Sequence, residues 1–124
     1  MNSLKDARIY DDQNIFAKIL RDEIPCNKVF EDNGSLFFHD ISPLTKIHIL
    51  GIPKIPCIDF SDFIDKSDPK IQIQFFENIN IVISKLGIKN SGYRLVSNSG
   101  INGGQEVPHF HVHILAGEKI SPLK

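Results

Sequence analysis

Lys28-Val29-Phe30-Glu31-Asp32-Asn33-Gly34-Ser35-Leu36-Phe37-Phe38-His39-Asp40 is the stretch that decides the fold class. Lys28 to Phe30 and Ser35 to Asp40 have strand composition, and the Asn33-Gly34 pair between them tolerates the positive φ angles of a tight hairpin. After a break at Ser42-Pro43, the β-branched run Lys46-Ile47-His48-Ile49-Leu50-Gly51-Ile52 makes a third strand that Pro53 closes. Three consecutive strands joined by short links predict an antiparallel meander.

Upstream of this hairpin, residues 1 to 13 are polar and are expected to form a flexible arm. Phe16, Ile19, Leu20 and Ile24 then suit a short amphipathic helix ended by Pro25. Downstream, the stretch from Pro53 to Pro69 is mixed, with Ile58, Phe60, Phe63 and Ile64 at most one helical turn. Asp68-Pro69 is a helix N-cap and first-position pair, and Ile71, Phe75, Ile79, Val82 and Leu86 recur at helical spacing before Gly87 supplies a stop. The alternation Ile71-Gln72-Ile73-Gln74 also fits a strand, so the first turn is the less determined end. Gly92 to Asn98 reads as a fourth strand, Ser99 to Gln105 as a loop, and Phe110 to Leu115 as a fifth strand. Strands, a helix and strands again imply an α+β fold: one five-stranded antiparallel sheet with one long and one short helix, in a single domain over 14–124.

A chain of 124 residues is long enough to bury a real core, and 41% hydrophobic with 23% charged residues are globular values. Fourteen basic against 15 acidic residues give a formal charge of −1, which leaves no broad field for a nucleic-acid backbone. Cys26 and Cys57 make neither a disulfide framework nor a CxxC knuckle. The start lacks an apolar leader region and no window nears the ~18 apolar residues of a membrane span, so a cytoplasmic protein is expected.

Three of the five histidines stand at 109, 111 and 113. On one strand the alternation of side chains would put His109, His111 and His113 on one face, with Phe110, Val112 and Ile114 on the other. Packing gains little from three imidazoles in register, so the pattern points to chemistry. A His-x-His pair can hold zinc with a third ligand from elsewhere. Alternatively, neutral imidazole can attack phosphorus while its neighbours donate hydrogen bonds to phosphate oxygens. The upstream loop Asn98-Ser99-Gly100-Ile101-Asn102-Gly103-Gly104-Gln105-Glu106-Val107 tilts the choice to phosphate, because glycines let a ligand approach backbone N–H groups closely.

The run Gly103-Gly104-Gln105-Glu106-Val107-Pro108-His109-Phe110-His111-Val112-His113-Ile114-Leu115-Ala116-Gly117 resembles the signature of the histidine-triad (HIT) family. Phe38 to Pro43 with His48 to Lys54 is similar to the family's nucleoside-binding half, and Ile15 to Pro25 to its N-terminal helix. The resemblance, carried by three blocks in order, covers nearly all of residues 14 to 117. The resemblance, closest to the nucleotide-binding (HINT-like) branch, implies a purine nucleoside phosphoramidase acting through a nucleotidyl-histidine, with no cofactor and as a homodimer. It implies His111 as nucleophile, His113 on a phosphate oxygen, His109 orienting the nucleophile through its backbone, and His48 as a fourth active-site histidine. It further implies Asp40 on the ribose hydroxyls, Phe16, Ile19, Phe38, His39 and Ile41 around the base, and Asn98, Gly104, Gln105, Glu106 and Val107 on the phosphate side. His113 stands where the transferase branch has Gln, which favours hydrolysis. Asn14 and Ala17 stand where zinc-binding members carry cysteines, so a family-type zinc site is not expected.

The expected ligand is AMP or one of its phosphoramidates. Two other functions are consistent with the same residues: a dinucleoside polyphosphate hydrolase, and a nucleotide-binding regulatory protein with vestigial hydrolysis. Ile73, Ile81 and Ile83 lie off the main helix stripe and supply apolar surface for a dimer.

Overall fold

Asp32, more than the Asn-Gly pair, closes the hairpin. In the computed structural model, which describes residues 8–123, β1 (Lys28–Glu31) and β2 (Ser35–His39) pair antiparallel around Asp32-Asn33-Gly34. Neither Asn33 nor Gly34 adopts positive φ. Instead the Asp32 carboxylate accepts from the Gly34 N–H, the Ser35 N–H and the Ser35 hydroxyl, an Asx-type turn in which a side chain replaces left-handed backbone.

β2 pairs with β3 (Ile47–Pro53), β3 with β5 (Val112–Ala116), and β5 with β4 (Tyr93–Val96), so the antiparallel sheet has the order β1-β2-β3-β5-β4. Gly51 lies opposite Phe37, and a Cβ there would sit 2.3 Å from the Phe37 ring. Glycine is required so that this ring can lie across the strand.

Among the described residues three helices accompany the sheet. α1 (Ile15–Leu20) starts at an Asn14 cap that accepts from the Ala17 N–H. It stops well before Pro25: Asp22 takes φ 62°, a left-handed conformation that Asp tolerates, and breaks the repeat first. The mixed stretch forms α2 (Phe60–Lys66), capped by Asp59, a second short helix beyond the single turn expected there. α3 (Pro69–Leu86) is the long helix, with Asp68 as N-cap and Gly87 as its left-handed stop; its first turn is helical.

Period-two alternation sends the two faces of the sheet to different neighbours. Phe37, Ile49, Val112 and Ile114 pack with Phe63, Phe75, Ile79 and Val82 beneath α2 and α3. Buried Asn78 ties α3 to the hairpin through the Asp32 carboxylate and the Ser35 hydroxyl, both 2.7 Å away. Ile83, expected at the surface, joins this core, whereas Ile73 and Ile81 are exposed. On the other face Leu36, Phe38, Leu50 and Ile52 pack against Phe16 and Ile19 of α1. Because α1 covers only part of that face, a cleft stays open beside it over the β3–β5 pair.

Of the expected arm at 1 to 13, residues 1–7 lie outside the described ones. In the remainder, Arg8 pairs with Asp59 at 2.6 Å and the Tyr10 hydroxyl lies 2.6 Å from His109 Nδ1.

Candidate active site

The cleft has a volume of about 290 Å³ and is lined by Phe16, Asp40, Leu44, Leu50, Val96, Asn98, Gly104, Glu106, Val107, His111, His113 and Leu115. Its floor follows from register: Leu50 lies opposite His113, and His48 opposite Leu115, so all four project from one face of the sheet.

The histidine row is not carried by one regular strand. β5 begins at Val112, and the chain bends at His109, whose N–H donates to the Val107 carbonyl. Only His111 and His113 reach the cleft. The His109 ring turns behind it and is wholly buried, with Nε2 2.8 Å from the Pro53 carbonyl and Nδ1 2.6 Å from the Tyr10 hydroxyl. A buried imidazole needs partners for both nitrogens, and the Pro53 carbonyl and the Tyr10 hydroxyl supply them.

Hydrogen bonding assigns the tautomers. A carbonyl only accepts, so His109 Nε2 donates to Pro53 and its Nδ1 accepts from Tyr10. His111 Nδ1 likewise donates to the His109 carbonyl at 2.7 Å, which leaves the lone pair on Nε2. A backbone N–H only donates, so the Leu44 N–H at 3.0 Å makes His48 Nδ1 the acceptor. His48 Nε2 then donates to His113 Nδ1 at 2.9 Å, and His113 carries its proton on Nε2. The Phe16 ring meets His111 edge-on at 5.0 Å, and the Ser97 hydroxyl donates to the His111 carbonyl at 2.8 Å.

All four imidazoles are held below their ordinary pKa of 6.5, chiefly because burial disfavours the cation. His109 falls to about 4 and His113 to about 4, the latter helped by its neighbours His111 and His48. For His111, the His109 carbonyl and the Asp40 and Glu106 carboxylates oppose the fall without reversing it. At neutral pH the site therefore holds free bases.

Asp40, at the end of β2, accepts from the Ser42 N–H at 2.7 Å and lies 3.5 Å from His48 Nε2. Asp40, His48 and His113 bring potential ligand atoms within 4.8 Å of one another. The donor set does not suit a metal as it stands. His48 Nε2 carries the proton because Nδ1 is committed to Leu44, so ligation would require a flipped ring or an imidazolate.

The loop of residues 98–107 differs from an open phosphate cradle. The Gly104 N–H donates to the Ile101 carbonyl and the Gln105 N–H to the Gly100 carbonyl, so both are spent inside the loop. The Gln105 side chain also turns inward, donating to the Ile58 carbonyl at 2.6 Å and accepting from the Gly100 N–H. Gly103 is needed for closure, since a Cβ would lie 2.3 Å from the Ser99 carbonyl oxygen. Asn98, Gly104, Glu106 and Val107 do line the cleft.

Among the other expected contacts, Ile19 and Phe38 are core residues behind the cleft, and His39 and Ile41 are exposed beside it. Leu44, Leu50, Val96 and Leu115 also line it, although sequence reading did not single them out. The alternation around His48 and His113 could have found Leu50 and Leu115. Tyr10 and Ser97 carry no such local signal.

A model of the HIT domain matches residues 21–120. The chain belongs to the HIT family. It is 43% identical over 117 residues to a HIT-like protein of Azospirillum brasilense, covering 94% of this chain and 96% of that one. It is 37% identical to the purine nucleoside phosphoramidase of Escherichia coli, covering 90% of this chain and 93% of the relative. A HIT family hydrolase from Clostridium thermocellum superposes with a TM-score of 0.83 at 34% identity, over 91% of this HIT chain and 97% of that one. The sheet order and helix placement described above are thus those of a HIT fold. No helix among the described residues is long and apolar enough to cross a membrane.

Proposed function

We propose that this HIT protein is a hydrolase of purine nucleoside phosphoramidates, with AMP as the nucleotide product. The observation that carries the reading is the His111 Nδ1–His109 carbonyl bond of 2.7 Å, which presents an unprotonated Nε2 to the cleft. Similarity to the phosphoramidase of Escherichia coli supports the substrate class.

In this mechanism His111 Nε2 attacks the α-phosphorus in line. The P–Nε2 bond forms as the bond to the leaving nitrogen breaks; that nitrogen keeps the bonding pair and takes a proton from water. Water then attacks the nucleotidyl-His111 phosphorus, the bonding pair returns to Nε2, and the nucleoside monophosphate leaves. The His113 Nε2–H, aimed by His48, donates to a phosphate oxygen as charge develops there. Asp40 accepts from the ribose hydroxyls, Phe16, Leu44 and Leu50 wall the nucleoside, and Asn98 and Glu106 border the phosphate and leaving group. His111 is thus the nucleophile of the first step and the leaving group of the second.

Turnover of adenosine 5′-phosphoramidate by the chelator-treated protein tests the reading. A rate lost by at least about a hundredfold in His111→Gly is expected. An unchanged rate in that variant, or faster turnover of a diadenosine polyphosphate by the parent, overturns it.

Homodimerisation belongs to the same proposal. Phe60, Phe76, Tyr93 and Leu95 are each more than 40% exposed around one apolar groove between α3 and β4. β4 is also a sheet edge, so a second copy would cover apolar side chains and an unpaired strand together.

A further inference from the structure

Tyr10 lies outside the span matched by the HIT domain, which begins at residue 21. The segment that carries it is nevertheless fastened to the rest of the chain. Arg8 reaches Asp59, the N-cap of α2, at 2.6 Å. The Asp11 carbonyl accepts from the Asn14 side chain at 2.7 Å, and that same side chain caps α1. Between these anchors the Tyr10 hydroxyl meets His109 Nδ1 at 2.6 Å, with the two rings edge to face at 5.6 Å.

We propose that Tyr10 is a positioning residue for the HIT reaction, setting His111 through His109. The inference rests on His111 being the nucleophile. Its physical basis is a directional chain: Tyr10 O–H to His109 Nδ1, His109 Nε2–H to the Pro53 carbonyl, and His111 Nδ1–H to the His109 carbonyl. With both nitrogens satisfied, His109 holds one tautomer and one ring plane, and its carbonyl is fixed against His111. Removing the hydroxyl leaves a wholly buried Nδ1 without a donor. The His109 ring can then recover a partner only by rotating or changing tautomer, which loosens its bond to Pro53 and moves the carbonyl on which His111 depends. Burial also raises the Tyr10 pKa, so the hydroxyl remains a donor throughout the working range.

The test compares Tyr10→Phe, which keeps the ring, with Arg8→Ala, which releases the neighbouring anchor but leaves the hydroxyl. The readouts are the steady-state constants for adenosine 5′-phosphoramidate and the imidazole ¹⁵N spectrum, which separates the tautomers of His109 and His111. Tyr10→Phe is expected to lower kcat about tenfold with KM within about twofold, and to replace the single Nδ1–H form of His111 by a mixture. Arg8→Ala is expected to lower Tm while kcat and the ¹⁵N pattern stay as in the parent. An unchanged kcat with an unchanged His111 tautomer in Tyr10→Phe overturns the inference, as does equal loss of kcat in both variants. The ¹⁵N arm reads the clasp even in a parent protein inactive on phosphoramidates, an outcome that would refute the proposed reaction and not the clasp.

Discussion

His48 Nε2 lies 2.9 Å from His113 Nδ1, and the Leu44 N–H on the far side of the His48 ring fixes which of them donates. The proton sits on His48 Nε2, so His113 accepts on Nδ1 and turns its own N–H to the cleft. A residue on β3 therefore sets the hydrogen-bonding sense of a residue on β5.

Replacing His48 tests that relay. His48→Ala should lower kcat for adenosine phosphoramidate by about tenfold to a hundredfold, because His113 loses the partner that fixes its tautomer. His48→Gln, whose amide can donate from near the Nε2 position, should recover a substantial part of the rate. Equal activity of the alanine variant and the parent would disprove the relay.

Acid should act on rate and stability alike. The His111 pKa is lowered from 6.5 in the fold, so the acid limb of kcat/KM should fall below pH 6.5. For stability the sign follows from His109, held at about 4 when folded and near 6.5 when unfolded. The unfolded chain binds the proton first, so stability is greatest above that upper value and declines as pH falls towards the lower one. His109 alone should cost about 1–2 kcal/mol of unfolding free energy between about pH 7 and pH 5. Urea titrations at the two pH values measure this, and a midpoint that rises on acidification would contradict it.

Gly51→Ala should destabilise the fold by about 1–3 kcal/mol, since its Cβ would meet the wholly buried Phe37 ring at 2.3 Å. Thermal or urea unfolding reads the loss. The double variant with Phe37→Leu should be less destabilised than the sum of the two single changes, because the smaller side chain removes the collision.

Leu95→Lys tests the dimer face. Leu95 is 46% exposed in the single chain, so the substitution should leave the monomer fold intact while shifting sedimentation from dimer to monomer at micromolar protein. A parent that sediments as a monomer under those conditions refutes the dimer.

Much of the fold was legible because its signals are local. Asp68-Pro69 and Gly87 bracket α3 as caps whose effect needs only neighbouring backbone, and the run from Ile47 to Pro53 has the composition of a buried strand. Where the structure departed, a side chain outcompeted the local rule: the Asp32 carboxylate closed the hairpin without positive φ at Asn33 or Gly34. α1 ended early for a similarly local reason, the left-handed Asp22, which precedes Pro25.

By itself the sequence determined the chemistry available: which imidazoles and carboxylates exist, which strands and helices carry them, and that one face of β3 and β5 would bear histidines. Tertiary structure alone decided their division. His109 left the row because a buried ring requires two partners, and the Pro53 carbonyl and the Tyr10 hydroxyl stand together only in the folded chain. The tautomer of His113 was settled in the same way, through His48, 65 residues away, whereas those of His111 and His48 rest on the nearby His109 carbonyl and Leu44 N–H. Proton positions depend on direction and distance in space, and spacing along the chain does not encode them.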